Sequence, residues 1–377
     1  MKLVAGLLCV VLSCWSLPGM AQDSPRLPFK GQVPSGYPPE YAQIIKAAED
    51  EGELVIYSNT DKNVARDLIE DFEKLYPKID IEYEDLNSTE LHHRFLSEMV
   101  MGPRKDDGRM ADVVWSSAMD LQFDLISRGY AQEYDSPEIP HLPQWAVWKK
   151  QAFGTTYEPI AIVYNKRLLA ATDVPQSHDD LLRLLKTKSD QLDRKIVTYD
   201  IVKSGVGFLL ATQDARLWQG FWEFAGKLGQ LGVRLLLSTD AMVKRVTNDD
   251  DLIAYNVIGS YVVPLARKDP AIGYVFPKDY TLVLSRVVFM SKKAKNPNAA
   301  KLWVDYLLSK RGQTIIANRA HLYSLRSDVE GDATAAALTK LLGDRLKPIA
   351  IGPQLLDPLS DTNRMDFITR WRQATFQ

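Results

Sequence analysis

The segment from Gly52 to Leu91 constrains the fold of this chain more than any other segment. Its apolar beginning, Gly52-Glu-Leu-Val-Ile-Tyr-Ser-Asn-Thr60, predicts a strand that ends in hydroxyl and amide side chains. A helical pattern then runs to Tyr76-Pro77, and alternating apolar residues over 79–83 predict a second strand. The first loop of this β-loop-α-β unit joins the carboxyl end of a strand to the amino end of a helix, where free backbone N–H groups favour an anion or another polar ligand.

The first residues of the chain predict export. Met1-Lys2 is followed by an apolar run from Leu3 to Leu17, and Gly19-Met20-Ala21 places small residues at the −3 and −1 positions of a cleavage site. We therefore expect a signal peptide over residues 1–21, cleavage after Ala21 and a mature protein in the periplasm. A membrane anchor would need an apolar helix of about 20 residues, which this run does not reach. A lipobox-like sequence that ends at Cys14 leaves a lipoprotein as the alternative.

Composition excludes several classes of site and partner. Both cysteines, Cys9 and Cys14, lie in the predicted leader, so the mature chain has no disulfide, zinc-thiolate site or cysteine nucleophile. The length of the chain favours two domains held together by apolar cores. Its net charge of −2 becomes one unit more negative when Lys2 is removed. We therefore expect no binding to nucleic acid or to an anionic membrane.

From Tyr41 onward, predicted strands and helices alternate almost to the end of the chain. The strands lie near 111–115, 160–164, 196–199, 252–257 and 281–290. This alternation predicts an α/β protein with doubly wound sheets, in which ligands bind at the carboxyl ends of the strands. Residues 22–40, rich in proline and glycine, predict an N-terminal arm. Pro264 is expected to cut a helix that begins near Gly259.

Several of these segments resemble the extracellular solute-binding proteins of ABC transporters, and most closely the ferric-iron-type branch. The segments that carry the resemblance are Gly52-Glu-Leu-Val-Ile-Tyr-Ser58, Asp71-Phe-Glu-Lys-Leu-Tyr-Pro77, Ala111-Asp-Val-Val-Trp115, Tyr164-Asn165, Phe276-Pro-Lys-Asp-Tyr-Thr-Leu-Val283 and Ala299-Ala-Lys-Leu-Trp-Val-Asp-Tyr-Leu-Leu-Ser309. The resemblance implies the type II periplasmic binding protein fold, in which two α/β lobes are joined by two hinge strands and a ligand is clamped in the cleft.

The resemblance also implies a division of the chain. Lobe 1 is expected to comprise residues 41–158 and 284–330, and lobe 2 residues 159–283. The hinge crossings are expected near 155–163 and 281–290. Residues 331–377 are expected to form a C-terminal helical segment that packs on the lobes.

One departure from the iron-binding members concerns the metal ligands. Those members hold ferric iron with two adjacent tyrosines, and here Ser260 precedes the single Tyr261. Many also place a histidine in the first loop, where this chain has Asn59-Thr60-Asp61. Because ferric iron is a hard ion that favours several anionic oxygen ligands, one phenolate beside a serine is a poor set. Iron is therefore the less favoured cargo.

The polar residues at the predicted strand ends are candidates to bind a ligand through hydroxyl groups and helix N-terminal amides. They are Ser58, Asn59, Thr60, Ser116, Ser117, Thr155, Thr156, Tyr157, Ser204, Gly205, Ser260 and Tyr261. Arg286 would supply a planar fork for a carboxylate or phosphate if its side chain faces the cleft. For each serine and threonine, the alternative is ordinary helix N-capping.

Catalytic motifs are not evident, since the sequence contains no Gly-x-Ser-x-Gly elbow, His-Glu-x-x-His helix or P-loop. We expect no enzyme activity, no cofactor and no resident metal. The leading hypothesis is a monomeric periplasmic protein that delivers a small anionic solute, a phosphorylated or carboxylated metabolite, to an inner-membrane ABC permease. The alternatives are a ferric-iron-binding protein, a sensor that presents its ligand to a membrane histidine kinase, and a secreted hydrolase.

Overall fold

The computed structural model describes residues 32–103 and 108–375. The predicted signal peptide, its cleavage site and residues 22–31 of the predicted arm lie outside these ranges. Residues 32–40 lead through turns into the first helix. Within the described ranges, no helix is long and apolar enough to cross a membrane.

The strands are short, and most of them are buried. In chain order they are β1 (Glu53–Ser58), β2 (Asp80–Asp85), β3 (Val113–Ser116), β4 (Val147–Trp148), β5 (Ala152–Gly154), β6 (Glu158–Asn165), β7 (Ile196–Tyr199), β8 (Arg234–Leu236), β9 (Ile253–Ile258), β10 (Ile272–Val275), β11 (Thr281–Leu284), β12 (Val287–Met290) and β13 (Leu346–Pro348). The central strands, such as β9 and β12, are buried along their whole length, as expected for strands covered on both faces.

Helices follow most of the strands and cover the sheets. In chain order they are α1 (Tyr41–Glu51), α2 (Lys62–Leu75), α3 (Ser88–Met101), α4 (Met119–Ser127), α5 (His178–Thr187), α6 (Ser189–Leu192), α7 (Gly205–Leu217), α8 (Phe221–Gln230), α9 (Thr239–Thr247), α10 (Gly259–Lys268), α11 (Pro297–Leu308), α12 (Lys310–Ile315), α13 (Ala335–Leu342) and α14 (Asp361–Thr375). α2 shows the amphipathic pattern clearly, because Ala65, Leu68 and Phe72 are buried on one face.

The first sheet has the strand order β2-β1-β3-β12-β5-β4. β1 pairs in parallel with β2 and β3, and β12 runs antiparallel between β3 and β5. α1, α2 and α11 pack around an apolar core on one side, where the rings of Phe72 and Trp303 lie 5.2 Å apart. We call this sheet and its helices lobe 1.

The second sheet has the strand order β13-β11-β6-β9-β7-β8, and β10 also pairs with β6. β7 pairs in parallel with β8 and β9, whereas β6 runs antiparallel to β9, β10 and β11. α5, α7, α8, α9 and α10 belong to this part of the chain, which we call lobe 2. The parallel strands of each lobe end at one edge, which places their loops together.

The chain passes between the lobes at two adjacent places. β5 continues through 155–157 into β6, and β11 continues through Ser285 and Arg286 into β12. The crossings lie side by side, because β11 pairs with the beginning of β6 and β12 pairs with β5. The β-rich run from 281 to 290 is thus two strands, one in each sheet.

The C-terminal segment extends over both lobes. β13 pairs with β11, so this segment, for which we expected helices, also adds a strand to the second sheet. Phe367 and Trp371 of α14 both stack on Phe221 of α8, and the centroid of each of their rings lies 6.1 Å from that of Phe221. A short 3-10 helix, Pro353–Leu355, contacts α4 of lobe 1.

α10 differs from the sequence expectation. The helix runs from Gly259 to Lys268 without interruption, so the prediction that Pro264 cuts it was wrong. Proline removes one backbone N–H from the helix and crowds the preceding turn. Val262 and Val263 of that turn are buried in the core of lobe 2, and their packing offsets this cost.

Candidate functional site

The facing edges of the two lobes enclose a cavity of about 150 Å³. Its walls are the loops that follow the carboxyl ends of β1, β2 and β3 in lobe 1 and of β7, β8 and β9 in lobe 2, which is where α/β sheets bind ligands. The lining residues are Asn59, Asp61, Asp85, Leu86, Asn87, Ser88, Ser117, Tyr199, Val206, Leu237, Ser238, Thr239, Ile258, Tyr261 and Arg286. The cavity is smaller than the roughly 300–1,000 Å³ of sites for drug-sized ligands, which suits a small solute.

A second cavity, of about 180 Å³, lies on lobe 1 among tyrosines of the arm and of α1 and α11. It is bordered by Tyr37, Tyr41 and Tyr306, and the buried Asp305 receives hydrogen bonds from Tyr41 at 2.6 Å and Ser136 at 2.5 Å. No strand of the described residues ends there. We therefore take the cavity between the lobes as the candidate site.

The lobes touch each other directly across the cavity. The Tyr261 hydroxyl of lobe 2 donates a hydrogen bond to the Asp61 carboxylate of lobe 1. The Ser88 hydroxyl of lobe 1 accepts hydrogen bonds from the backbone N–H groups of Gly205 at 3.0 Å and Val206 at 3.4 Å. Burial raises the pKa of Tyr261 well above its usual value, and the charge of Asp61 adds to this. Tyr261 is therefore a neutral phenol that donates its proton.

Gly205 allows this close approach. A Cβ atom at this position would lie 2.4 Å from Cδ1 of Leu121 and 3.3 Å from Cβ of Ala118, both in lobe 1. An apolar cluster also runs without a break through both lobes, from Val55 to Trp371. The structure is therefore a closed conformation with packed lobes.

An ion pair fills the space between the two crossings. Arg286 is 1% exposed and Glu158 is fully buried. The guanidinium donates to the Glu158 carboxylate through Nε at 2.8 Å and Nη2 at 3.2 Å, and to Oγ1 of Thr60 through Nη1 at 2.7 Å. Burial alone lowers the pKa of Arg286, but the Glu158 carboxylate more than offsets this and raises it. The guanidinium therefore stays charged at the wall of the cavity.

The Glu158 carboxylate accepts further hydrogen bonds from two hydroxyl groups. Oγ1 of Thr156 donates to it at 2.9 Å, and the Ser260 hydroxyl donates to its other oxygen. Thr156 also accepts a hydrogen bond from the backbone N–H of Arg286 at 2.9 Å. These side chains hold Arg286 in place, since a buried carboxylate must be paired and hydrogen-bonded.

Most helices that begin at the cavity have their first N–H groups capped. Asn87 caps α3, Ser204 caps α7 and Ser238 caps α9. α10 is different, because no described side chain caps it and its N-cap position is the apolar Ile258. The N-terminus of α10 lies between Ile258 and Tyr261, which both line the cavity. Its first N–H groups thus lack both helical partners and a described side-chain acceptor.

α4 also begins at the facing edge of lobe 1, and a carboxylate lies in its first turn. Asp120 is 2% exposed and accepts a hydrogen bond from the backbone N–H of Leu121 at 2.9 Å. Burial raises the pKa of Asp120 to about 7, although that N–H group opposes the change. Asp120 therefore titrates near neutral pH.

Four of the predicted site residues line the cavity, namely Asn59, Ser117, Tyr261 and Arg286. Asn59 and Ser117 bind each other. The Asn59 amide donates to the Ser117 hydroxyl at 2.9 Å and its oxygen accepts from the Ser117 backbone N–H at 3.0 Å. The Ser117 O–H and the second N–H of the Asn59 amide take no part in this pair.

The hydroxyl groups of the other predicted serines and threonines bond within the protein. Ser58 donates to the Trp115 carbonyl at 2.8 Å, and Ser204 accepts from the Gly207 N–H at 3.3 Å. The residues that are not among the lining residues are Ser58, Thr60, Ser116, Thr155, Thr156, Tyr157, Ser204, Gly205 and Ser260. Tyr157 belongs to a separate apolar cluster, where its ring lies 5.6 Å from that of Trp145.

Asp85, Ser88 and Glu158 were not among the predicted site residues. Glu158 carries a signal, because it is an acidic residue at the start of an otherwise apolar strand, and a buried carboxylate needs a partner. Ser88 carries no such signal in the sequence, since the N–H groups that bond to it lie in the opposite lobe. Among the described residues, no group of three or more His, Cys, Asp or Glu side chains is arranged to hold a metal ion.

The fold and its cleft define a type II periplasmic binding protein. Residues 108–343 match the family of bacterial extracellular solute-binding proteins, and the chain belongs to this family. Its members serve ABC transporters outside the cytoplasm. Among curated protein sequences, none matches this chain significantly.

Solved structures agree with this assignment. The substrate-binding protein of an ABC transporter from Agrobacterium tumefaciens is 33% identical, with a TM-score of 0.81 over 86% of this chain and 94% of that chain. AfuA from Actinobacillus pleuropneumoniae, solved with exogenous fructose-6-phosphate, is 19% identical, with a TM-score of 0.71 over 86% of this chain and 98% of that chain. Iron-bound HitA from Pseudomonas aeruginosa is 16% identical, with a TM-score of 0.66 over 85% and 99% of the two chains. The last two show likeness of fold alone.

Proposed function

We propose that this protein captures a small anionic solute, such as a phosphorylated or carboxylated metabolite, in the cavity between its lobes and delivers it to an inner-membrane ABC permease. The beginning of α10 carries this proposal. This helix starts at the cavity without a side-chain cap. An anion placed there would accept hydrogen bonds from its first N–H groups and would lie at the positive end of the helix dipole.

Arg286 adds a positive charge to the same wall. A guanidinium has five N–H donors, and the bonds to Glu158 and Thr60 use three of them. The remaining N–H groups can donate to a solute without disturbing the ion pair. The Cζ atom of Arg286 lies 5.9 Å from the centroid of the Tyr261 ring, which belongs to the first turn of α10. The guanidinium and the helix terminus therefore act on one region.

Two proteins of the same fold have been solved with different cargoes. The structure of AfuA contains fructose-6-phosphate, an anion of the proposed class. HitA is an iron-bound protein of the same fold. We consider iron the weaker candidate here, because Tyr261 is a neutral phenol bonded to Asp61 and would have to lose its proton to become an iron ligand.

We also propose that the mature protein begins at Gln22, is a periplasmic monomer, and opens and closes about the two crossings between the lobes. Intact mass and gel filtration of the exported protein test the first two statements. An acylated Cys14 would overturn the proposed cleavage after Ala21 and make the protein a lipoprotein.

A thermal-shift screen tests the cargo class, because a solute that binds only the native state raises the melting temperature. The screen should include phosphorylated and carboxylated metabolites, ferric citrate, and a ferric salt in a non-chelating buffer. We expect anions to raise the melting temperature and the ferric salt to have no effect. A visible phenolate-to-iron band that disappears in Tyr261→Phe would overturn the proposal in favour of iron.

Two substitutions at one position test the role of α10. Ile258→Asp would place a carboxylate at the N-cap, where it satisfies the helix and repels an anion. Ile258→Asn caps the helix without the charge. We expect Ile258→Asp to lose anion binding and Ile258→Asn to keep part of it, with circular dichroism verifying that both variants fold.

Delivery to a permease, rather than presentation to a sensor kinase, is tested by stimulation of ATP hydrolysis by the permease in vesicles.

A further inference from the structure

The charges around the cavity are unevenly distributed. Glu158, which lies behind the lining, neutralises Arg286, and the acidic residues of the lining itself are Asp61 and Asp85. Neither forms an ion pair with a lysine, arginine or histidine in the described ranges. Asp61 accepts from the Tyr261 hydroxyl, and Asp85 accepts from the backbone N–H of Lys62 at 3.0 Å. The lining therefore carries an excess of negative charge.

Basic side chains near these carboxylates do not remove the excess. Lys244 is close enough to feel the charge of Asp61, but its ammonium pairs with Asp240 at 2.7 Å. Burial raises the pKa of Asp85 and the charge of Asp61 raises it further, while the backbone N–H and the charge of Lys62 lower it. The two carboxylates thus repel each other across the same cavity.

A purely anionic solute would meet this repulsion. A phosphate or carboxylate gains from α10 and Arg286, but its negative charge adds to those of Asp61 and Asp85. A solute with a positive group at its other end converts the same carboxylates into partners. Such a group donates charge-assisted hydrogen bonds, which are stronger than those of a neutral hydroxyl.

We propose that the solute is zwitterionic, with its anionic end at the N-terminus of α10 and Arg286 and a primary ammonium group at Asp61 and Asp85. This inference rests on the proposed function, because it assumes that the anionic end binds at α10. Asp61 is half-buried and contributes more than Asp85, which is exposed at the edge of the cavity and is screened by water. Asp61 also bonds to Tyr261 across the lobes, so the ammonium group would bind beside the contact that closes the cleft.

Helix capping is the alternative role of these carboxylates. Asp61 precedes α2, and Asp85 accepts from the first N–H of that helix. A cap requires an oxygen acceptor and not a charge, so asparagine keeps it. Replacement of aspartate by asparagine therefore separates the two roles, because it removes the charge and leaves the oxygen.

Isothermal titration calorimetry with matched compounds tests the inference. 2-Aminoethylphosphonate is compared with 2-hydroxyethylphosphonate and propylphosphonate, and β-alanine with 3-hydroxypropionate and butyrate. Within each set only the terminal group changes, from ammonium to hydroxyl to methyl. We expect the amino compound of at least one set to bind roughly tenfold to a hundredfold more tightly than its counterparts, as a charge-assisted hydrogen bond implies.

Variants locate the preference. Asp61→Asn should remove most of the advantage of the amino compound, and Asp85→Asn a smaller part. Asp190→Asn is the control, because Asp190 is an exposed aspartate of α6 that lies outside the cavity. The hydroxyl and methyl compounds should bind Asp61→Asn at least as well as they bind the natural protein.

Each outcome decides one of the two proposals. If the hydroxyl or methyl compounds bind as tightly as the amino compounds, or if Asp61→Asn and Asp85→Asn leave the preference intact, the zwitterion inference is overturned and the anion proposal stands. If putrescine, which has ammonium groups and no anion, binds and none of the anions does, the proposed function is overturned as well.

Discussion

α7 and α10 both begin at the cavity edge of the second sheet, and both have a glycine next to a serine at the start. The first N–H groups of α7 are satisfied by two serines, Ser204 in the preceding loop and Ser88 in the opposite lobe. No described side chain does the same for α10. One helix terminus holds the closed lobes together, whereas the other has no described side-chain partner for its first N–H groups.

The cause of this difference lies in the opposite lobe. α7 faces the start of α3, whose first residue, Ser88, presents a hydroxyl at hydrogen-bond distance. α10 faces the loop that carries Asp61, which bonds to the Tyr261 side chain and leaves the backbone N–H groups of α10 alone. The opposite lobe thus caps the start of α7, but its described residues make no backbone contact of this kind with the start of α10.

The largest expected effect concerns the ion pair that fixes the wall beside α10. Arg286→Met leaves the buried Glu158 carboxylate without its partner, so we expect a loss of about 3–5 kcal/mol in the free energy of unfolding. Urea unfolding measures it. Arg267→Met is the control, because Arg267 pairs with Asp332 on the surface and its loss should cost about 1 kcal/mol or less. Equal effects of the two substitutions would contradict a structural role for the buried pair.

Much of the fold follows from local patterns in the sequence. The strand from Gly52 to Ser58, the helix after it and the alternation that continues along the chain are visible as periodic apolar residues, because burial of one face selects them. The resemblance to solute-binding proteins added the two-lobed arrangement, which the family match and the solved structures confirm.

The site was less predictable, because its contacts join distant residues. Arg286 and Glu158 lie 128 positions apart, and Ser88 and Gly205 lie 117 positions apart. The sequence shows that serine and glycine stand at the start of α7 and α10, but it does not show which helix the other lobe caps. Thr156 and Ser260, which were predicted as ligand-binding residues, both donate to Glu158, whose burial only the fold reveals.

The pH dependence of stability extends the comparison to α4, where the acid Asp120 lies in the first turn. Its pKa is about 7 in the folded protein and near the ordinary 3.8 in the unfolded chain. Between these two pKa values the folded protein binds more protons than the unfolded chain does. The free energy of unfolding therefore falls as pH rises from about 4 to about 7, and it levels off above that. Each unit of pKa difference corresponds to about 1.4 kcal/mol.

Asp120→Asn removes this titration and keeps an oxygen for the Leu121 N–H group. We expect the difference in stability between the variant and the natural protein to grow in favour of the variant as pH rises from 4 to 7. Urea unfolding at a series of pH values measures this difference. A difference that stays constant over that range would show that Asp120 has an ordinary pKa.

A smaller effect is expected where the closed lobes meet at α7. Gly205→Ala places a methyl group against Leu121, where a Cβ atom would be only 2.4 Å from Cδ1. Closure is then disfavoured, and we expect about tenfold weaker binding of the tightest anion from the screen, equivalent to about 1.4 kcal/mol. Small-angle scattering with that anion present should show a more open protein.

Gly226→Ala is the matched control for Gly205→Ala. Gly226 lies within α8, and a Cβ atom there would meet nothing within 4 Å. Alanine should stabilise the folded protein by about 0.4–1 kcal/mol and leave anion binding unchanged. If both glycine substitutions left binding unchanged, the contact at α7 would have no part in closure.

The smallest effect tests the hydroxyl that makes α7 different from α10. Ser88→Ala removes the acceptor shared by the N–H groups of Gly205 and Val206, at a cost of about 1 kcal/mol in the closed conformation alone. Anion affinity should fall several-fold, because only the closed population binds tightly, while Thr89→Ala should have no effect. The double variant Ser88→Ala/Gly205→Ala should bind little worse than Gly205→Ala, since both substitutions act on one contact. Calorimetric titration of all four variants measures this, and losses that simply add would mean that Ser88 acts on binding independently of the α7 contact.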